Sequence, residues 1–349
     1  MLKKLVNEAH CVLRIKAEGP LLIKSGYDTV HGANMTPVVT YRYGRPELYL
    51  PGSSLKGVFR SHIEKVICSL QPQVVCNPFL RLRDDVSQSK EERQLKTEAL
   101  SDYRYSCGDR FERLKGDESG KQKRELSTSE IYKESCPACR LFGSTSFIGR
   151  IAISDAHLVD SAGDEHISQK TERRDGIGID RLTGGTSHGA KFEMEVITTG
   201  VTFETTIHLR NFEIWQLGML FIVIQDMEDQ LIYIGSGRSR GLGKVTASFD
   251  NQERDWHHGG ITTISMLGSK EPGKELRGLG AWLDSKARRG YGVTEDDRLV
   301  LSAEVQQKPR GIRNFRSFKD EALSHLKADS IEHFIQRMRG WSHIEEREQ

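Results

Sequence analysis

Read for period alone, the chain alternates short strands with two strongly patterned helices. From Cys11 to Ile23 polar and apolar residues alternate through Val12, Leu13, Ile15 and Ala17, which predicts a first strand. A polar loop from Lys24 to Pro37 leads to a strand-like run at Val38–Tyr43. Pro51-Gly52 then breaks the chain. Leu55, Val58, Phe59, Ile63, Val66 and Ile67 follow at helical spacing, with Ser53 or Ser54 placed to cap. Gly149–Val159 alternates again. A polar, hairpin-like excursion runs from Asp160 to about Gly189, and Lys191–Leu209 is β-rich but broken at Thr198-Thr-Gly200, which reads as a hairpin. Trp215–Met227 is an apolar helix, and Leu231–Ile234 leads into a Gly-rich loop. Strand, helix, strand, then strands, helix and strand predict an α+β, ferredoxin-like core with two insertions.

The Gly-rich loop carries the most pointed chemistry. Ile234–Val245 reads I-G-S-G-R-S-R-G-L-G-K-V, with four glycines, three cations and no acid. Glycine lacks a Cβ, so such a loop turns tightly and brings its amides close to a bulky anion. Arg238, Arg240 and Lys244 can neutralise phosphates there, with Ser239 between them. The plainer reading is an ordinary turn between strands. The loop lacks the Walker spacing and no helix pattern follows, which favours a long phosphate backbone over a nucleoside triphosphate. The N-terminus of the helix after Pro51, with Lys56 and Arg60 on it, offers a second phosphate seat. Whole-chain charge adds little: a formal balance of +2 makes any electrostatic case local.

Between about Gln71 and Glu134 the pattern dissolves into charge-dense stretches at Asp84–Glu98 and Asp109–Glu130, which reads as an insertion. It carries Cys76 and Cys107 and ends at Cys136-Pro-Ala-Cys139. A C-x-x-C knuckle is one half of a tetrahedral zinc site, and Cys76 and Cys107 are available as the other half. A redox pair or unrelated buried thiols are the alternatives. An insertion this poor in apolar residues favours zinc as the element that holds it together. Cys68 on the helix and Cys11 in the first strand read as core. No apolar run approaches the roughly 20 residues of a membrane span, and no signal-peptide core follows Met1-Leu-Lys-Lys, so the chain reads as cytoplasmic.

Four stretches in order, P-G-S-S-L-K-G at 51–57, C-P-A-C-R-L-F-G at 136–143, G-I-D-R-L-T-G-G-T-S-H-G-A at 178–190 and G-S-G-R-S-R-G-L-G-K-V at 235–245, resemble the RAMP superfamily. The likeness is to the backbone subunit of type III CRISPR effector complexes, the seventh Cas family, and covers about residues 10 to 250. It implies a ferredoxin-like palm at residues 1–70 and 140–250, a zinc-bearing insertion at 71–139 and a thumb at about 160–189. A C-terminal extension, residues 251–349, lies beyond it. By the resemblance, copies polymerise along a guide (crRNA), grip its phosphates and present complementary target RNA. They work beside subunits of the fifth Cas family. Carried over by position, Ser53, Ser54, Lys56, Arg238, Ser239 and Arg240 contact guide backbone, while Arg181 and His188 lie on the thumb near the guide–target duplex. The aromatic consensus of ordinary single-strand readers is absent.

Two departures stand out. Active members carry an aspartate in a G-x-x-D-x-P-V pattern after the first strand; here Gly32-Ala-Asn-Met-Thr-Pro-Val38 places Met35 there. A thioether neither binds a hard cation well nor transfers a proton. The resemblance then points to a scaffold that leaves cutting to a separate nuclease subunit, as in type III-D-like or type VII systems. The alternative is a guided endoribonuclease using Asp28, with His31 three residues on; a solvated turn is the plainer role for Asp28. The second departure is the extension. It holds Trp256-His-His258, the basic runs Lys286–Arg289 and Lys308–Arg316, and a helical stripe of Ile331, Phe334, Ile335, Met338 and Trp341. Packing on the parent domain is its first reading and a docking helix for a partner the second.

Overall fold

In the computed structural model the residues described are 4–26, 33–81, 103–113, 126–159, 167–249, 262–267, 275–301, 305–310, 313–318 and 320–341. Asp28, His31 and Trp256–His258 lie outside them.

The first strand, β1 (Asn7–Ala17), is the central member of an antiparallel sheet. Its alternation begins earlier and ends earlier than the sequence pattern predicts, because after Ala17 the chain turns past Pro20 and touches the rest only through single bridges. Ala9, Cys11, Leu13 and Ile15 point into the core. β2 (Val39–Arg42) and β3 (Arg45–Leu50) pair as a hairpin around Tyr43-Gly44, both at positive φ, and β3 runs up to the break at Pro51-Gly52. Helix α1 (Gly52–Leu70) buries Leu55, Phe59, Ile63 and Ile67, a four-residue repeat that keeps one face on the sheet. Neither Ser53 nor Ser54 caps it. Pro51 is the N-cap, with no side-chain bond, and Ser53 and Ser54 sit inside the first turn.

Three short helices follow, α2 (Cys107–Arg113), α3 (Thr128–Glu134) and α4 (Pro137–Phe142), and then a small hairpin of β4 (Gly143–Ser144) and β5 (Phe147–Ile148). The single strand read at Gly149–Val159 is two, β6 (Ile151–Ile153) and β7 (Ala156–Leu158). β8 (Thr171–Ile179) and β9 (Thr186–Ile197) form a separate two-stranded ribbon. β10 (Thr202–Arg210) pairs with β1 from Glu8↔Arg210 to Lys16↔Thr202. The break at Thr198–Gly200 is therefore not a hairpin: β9 and β10 belong to different sheets, and Gly200 is held by its amide on the Ala17 carbonyl.

Helix α5 (Ile214–Glu228) and β11 (Val245–Phe249) complete the central unit. The order β11, β1, β10, then β6 and β7, with α1 and α5 packed in one core, follows the chain order β, α, β, β, α, β. The molecule is thus α+β with an antiparallel sheet.

Beyond β11, β12 (Thr262–Leu267) runs beside the N-terminal half of β1 while β11 holds its C-terminal half. A small ribbon of β13 (Glu275–Arg277) and β14 (Arg298–Val300) flanks helices α6 (Leu279–Trp282) and α7 (Ser285–Tyr291). β15 (Gln306–Arg310) and β16 (Arg313–Phe318) then extend the sheet past β12. Finally α8 (Asp320–Arg339) lies on α5. Phe334, Met338 and Trp341 are buried, and the Trp341 ring meets Trp215 edge-on at 5.7 Å. Gly218 of α5 allows the approach, since a Cβ there would collide with the Ser330 carbonyl. The stripe packs on its own domain, and nothing about it calls for a partner. Among the described residues no helix is long and apolar enough to cross a membrane.

Candidate functional site

The C-x-x-C knuckle and the two distant cysteines meet. Cys136 caps α4, and its sulfur accepts the Cys139 amide at 3.4 Å. The Cys136 amide donates to Cys107 Sγ at 3.4 Å, and Cys76 Sγ lies 3.5 Å from Cys139 Sγ. All four thiols are free, buried and within 4.8 Å of one another. A tetrahedral zinc with Zn–S near 2.3 Å holds its sulfurs about 3.8 Å apart, so the cluster needs only small adjustments to close on one ion.

Two cations supply an independent test of fit. Arg60 Nη2 donates to Cys139 Sγ at 3.3 Å, and Arg110 Nη2 to Cys107 Sγ at 3.0 Å. Four thiolates around Zn²⁺ carry a net charge of −2, and two guanidiniums return it to zero. Burial opposes ionisation of Cys107. Hydrogen bonds from its neighbouring thiols and the charge of Arg110 outweigh that and hold its thiol well below the usual range. The donor set fits a structural zinc. Cys11 is buried in the core as the sequence predicts, but Cys68 is exposed on α1. It falls on the solvent side of the helix, one residue beyond the buried Ile67.

A second group, Glu8, His10 and His208, gathers on β1 and β10. His208 Nε2 lies 3.1 Å from Glu8 Oε1, but the two imidazoles stack face to face at 3.9 Å between centroids, 18° from parallel. Stacked rings send their lone pairs out side by side rather than toward a common point. We read this group as a carboxylate–imidazole contact with a stacked ring, not a metal centre.

The Gly-rich loop is built differently. Its anchors are backbone: Ile234 donates to Gly243 O at 2.8 Å, Ser236 to Leu22 O at 2.8 Å and Gly243 to Pro20 O at 2.7 Å. Gly235, Gly237, Gly241 and Gly243 all have φ between 75° and 87°, a region that other residues enter only with strain. Between them Arg238–Arg240 form one 3₁₀ turn with every side chain exposed. Neither arginine makes an ion pair among the described residues, although Arg240 lies over the Phe192 ring at 5.5 Å. Lys244 is half-buried, and its carbonyl accepts the amides of Glu18 and Gly19.

The Arg240–Phe192 contact ties the loop to the β8–β9 ribbon. Leu242, Leu22, Met194 and Val196 form a small apolar cluster, with Met35 and Phe192 packed against it. Met35 is bonded into β9 on both sides: its amide donates to Glu193 O and its carbonyl accepts from Glu195. Met35 therefore lies between ribbon and loop, its side chain against apolar neighbours. Arg181 and His188 lie exposed toward the far end of the ribbon, where Leu182 is 96 % exposed at the tip.

The N-terminus of α1 is less open than the sequence suggests. The Gly52 amide, the first of the free donors, is taken by Asp155 Oδ1 at 2.7 Å. Lys56 is half-buried, and desolvation, then the charge of Arg60, lowers its pKa. Arg60 is committed to Glu64 at 2.7 Å, to the Gly143 carbonyl and to Cys139. The structure thus groups Arg238, Ser239, Arg240 and Lys244 beside Met35, and sets Arg60 with the cysteines. Sequence reasoning missed the roles of Arg60, Arg110 and Asp155. For Arg110 a signal existed, since it follows Cys107 by three residues at the start of a helix.

An antiparallel α+β body carrying a buried four-thiol cluster and an exposed cationic glycine loop defines the class. Residues 14–246, about two thirds of the chain, match the model of the RAMP superfamily, and the chain belongs to that superfamily. Membership suggests a CRISPR-associated, RNA-binding role. No curated protein matches the chain.

Proposed function

We propose that this protein is a guide-binding backbone subunit of a CRISPR RNA-targeting ribonucleoprotein. In this reading β1, β10, β11, α1 and α5 are a ferredoxin-like palm, the β8–β9 ribbon is its thumb, and copies stack along the crRNA and present the target strand. The observation that carries it is the Arg238–Arg240 turn. Two arginines, free of acids among the described residues, are held out on a glycine-stiffened backbone at the foot of the β8–β9 ribbon. A phosphodiester chain is the polyanion such a turn fits, since it needs no pocket, only spaced cations. Ser53, Ser54, Lys56 and Ser239 add neutral and charged donors; Arg181 and His188 face the duplex on the thumb. Zinc at Cys76, Cys107, Cys136 and Cys139 has a structural role.

The packing of Met35 supports a scaffold without its own cutting group, in a type III-D-like or type VII assembly with a fifth-family subunit and a separate nuclease. A labelled target RNA tests this in complexes assembled without that nuclease, with magnesium or manganese present. Wild type is expected to leave the target intact, and Met35→Asp to restore weak cleavage. Regular cleavage by wild type that Asp28→Ala abolishes would replace the scaffold with a nuclease.

A further inference from the structure

The end of β1 opposite the Gly-rich loop borders a cavity of about 350 Å³. Eleven residues of strand, at about 3.3 Å each, separate the two, so the cavity is not part of the phosphate-binding loop. Among the described residues three cations reach it, Lys4, Arg150 and Arg210, and no acid lines it. Among the described residues none of the three makes an ion pair. Arg150 lies over the buried Tyr132 ring at 4.3 Å, and its Nε is shut from solvent without an acceptor. A buried donor without a partner is costly, and the exposed Lys4 and Arg210 line the same cavity, so an anion there would pair all three. Apart from Thr128 and Asn211, the rest of the lining is mostly apolar, with Phe147, Ile148 and Tyr291 forming one wall. Bare phosphate would leave that wall unused.

We propose that this cavity takes one nucleotide, with its phosphate on Lys4, Arg150 and Arg210 and its base against Phe147, Ile148 and Tyr291. The volume suits a single nucleotide, at the lower end of the roughly 300–1,000 Å³ of small-ligand pockets. The source is either a free mononucleotide or one residue of an RNA strand splayed from its neighbours. The site does not rest on the guide-cradle reading, since it shares no residue with the Gly-rich loop.

Calorimetric titration of the full chain with adenosine 5′-monophosphate, adenosine, inorganic phosphate and a five-adenosine RNA tests it. The monophosphate is expected to bind more tightly than adenosine or phosphate alone. Arg210→Glu and Lys4→Glu, at the cavity's rim, should each weaken it by at least about tenfold, the loss of one charge-assisted contact. Arg238→Ala with Arg240→Ala should leave it unchanged. Tighter binding of the oligonucleotide, with the same sensitivity to Arg210→Glu, assigns the pocket to a strand; equal affinity assigns it to a free nucleotide. The proposal is overturned by phosphate binding as tightly as the monophosphate. It is equally overturned if the rim variants, folded by their melting curves, bind every probe as wild type does, or if no probe binds at all.

Discussion

The molecule uses arginine in two opposite ways. Arg60 and Arg110 are drawn inward, their guanidiniums on cysteine sulfurs and, for Arg60, on Glu64. Arg238 and Arg240 are held outward on a turn stiffened by left-handed glycines. Arg60, Arg238 and Arg240 sit in stretches that read as phosphate seats, and Arg110 in the charge-dense insertion. The difference is what surrounds them: thiols and a carboxylate compensate the first pair, whereas the second is exposed, with no acid beside it among the described residues and only the Phe192 ring under Arg240. A buried cation with a committed partner stabilises a fold, and an exposed one without a partner is available to a ligand. Counting Lys and Arg in a motif cannot separate the two.

The largest effect is expected inside. Cys136→Ser with Cys139→Ser should take zinc from about one per chain to none by elemental analysis. Structural zinc contributes roughly 10–16 kcal/mol in isolated zinc-finger peptides. Here the loss should open the described segments that carry the cysteines, 71–81, 103–113 and 126–142, to limited proteolysis well before the sheet around β1 melts. Unchanged zinc content would dismiss the cluster. Next in size, Arg110→Ala should weaken zinc about 10- to 100-fold in chelator competition, as loss of a group that supports metal ligands does.

The outer pair should respond the other way round. Arg238→Ala with Arg240→Ala should leave stability within about 0.5 kcal/mol, as exposed substitutions do. The slope of log affinity against log salt for single-stranded RNA should flatten by about 0.7 per lost contact, roughly 1.4 in all. Arg60→Gln should leave that slope alone while loosening zinc. If Arg60→Gln flattens the slope as the loop variant does, the division into inward and outward arginines is wrong.

How far the sequence reached follows the same division. The C-x-x-C knuckle, the Gly-rich loop and α1 were legible because each depends on neighbours in the chain: a cap, a φ sign, a four-residue repeat. The pairing of Cys76 and Cys107 with the knuckle rested on supply alone, four thiols and one ion, and geometry brought them together. What escaped was non-local. The β9–β10 break looks like a hairpin because Thr-Thr-Gly is turn chemistry, yet the strands diverge into separate sheets. Asp155 blocks the Gly52 amide from 103 residues away. The late strand β12 beside β1 has no local sign at all, since an edge of β1 is open to any strand that can reach it.

A third ionic arrangement sharpens the comparison: a charge buried beside a like charge. Asp297 sits at the start of α5, its two oxygens accepting the Ile214 amide at 2.8 Å and the Gly280 amide at 2.9 Å. Burial, and after it the carboxyl of Glu213, push its pKa up to about 7, against the pull of the two amides. In the unfolded chain it titrates near 3.9. Between these values the folded protein keeps a proton that the unfolded chain has released. This contribution to stability is therefore complete below about pH 4, shrinks as pH rises and is gone above about pH 7. Glu213→Gln removes the neighbouring charge and keeps an acceptor for the Tyr132 hydroxyl, which donates to Glu213 at 2.6 Å. Asp297 should then titrate lower, and the fall in stability between pH 4 and 7 should lessen by about 1 kcal/mol, one pKa unit. Denaturant unfolding at pH 4.5, 6 and 7.5 measures it. Parallel pH profiles for wild type and Glu213→Gln would show that the two carboxyls do not interact, and that burial alone holds the proton on Asp297.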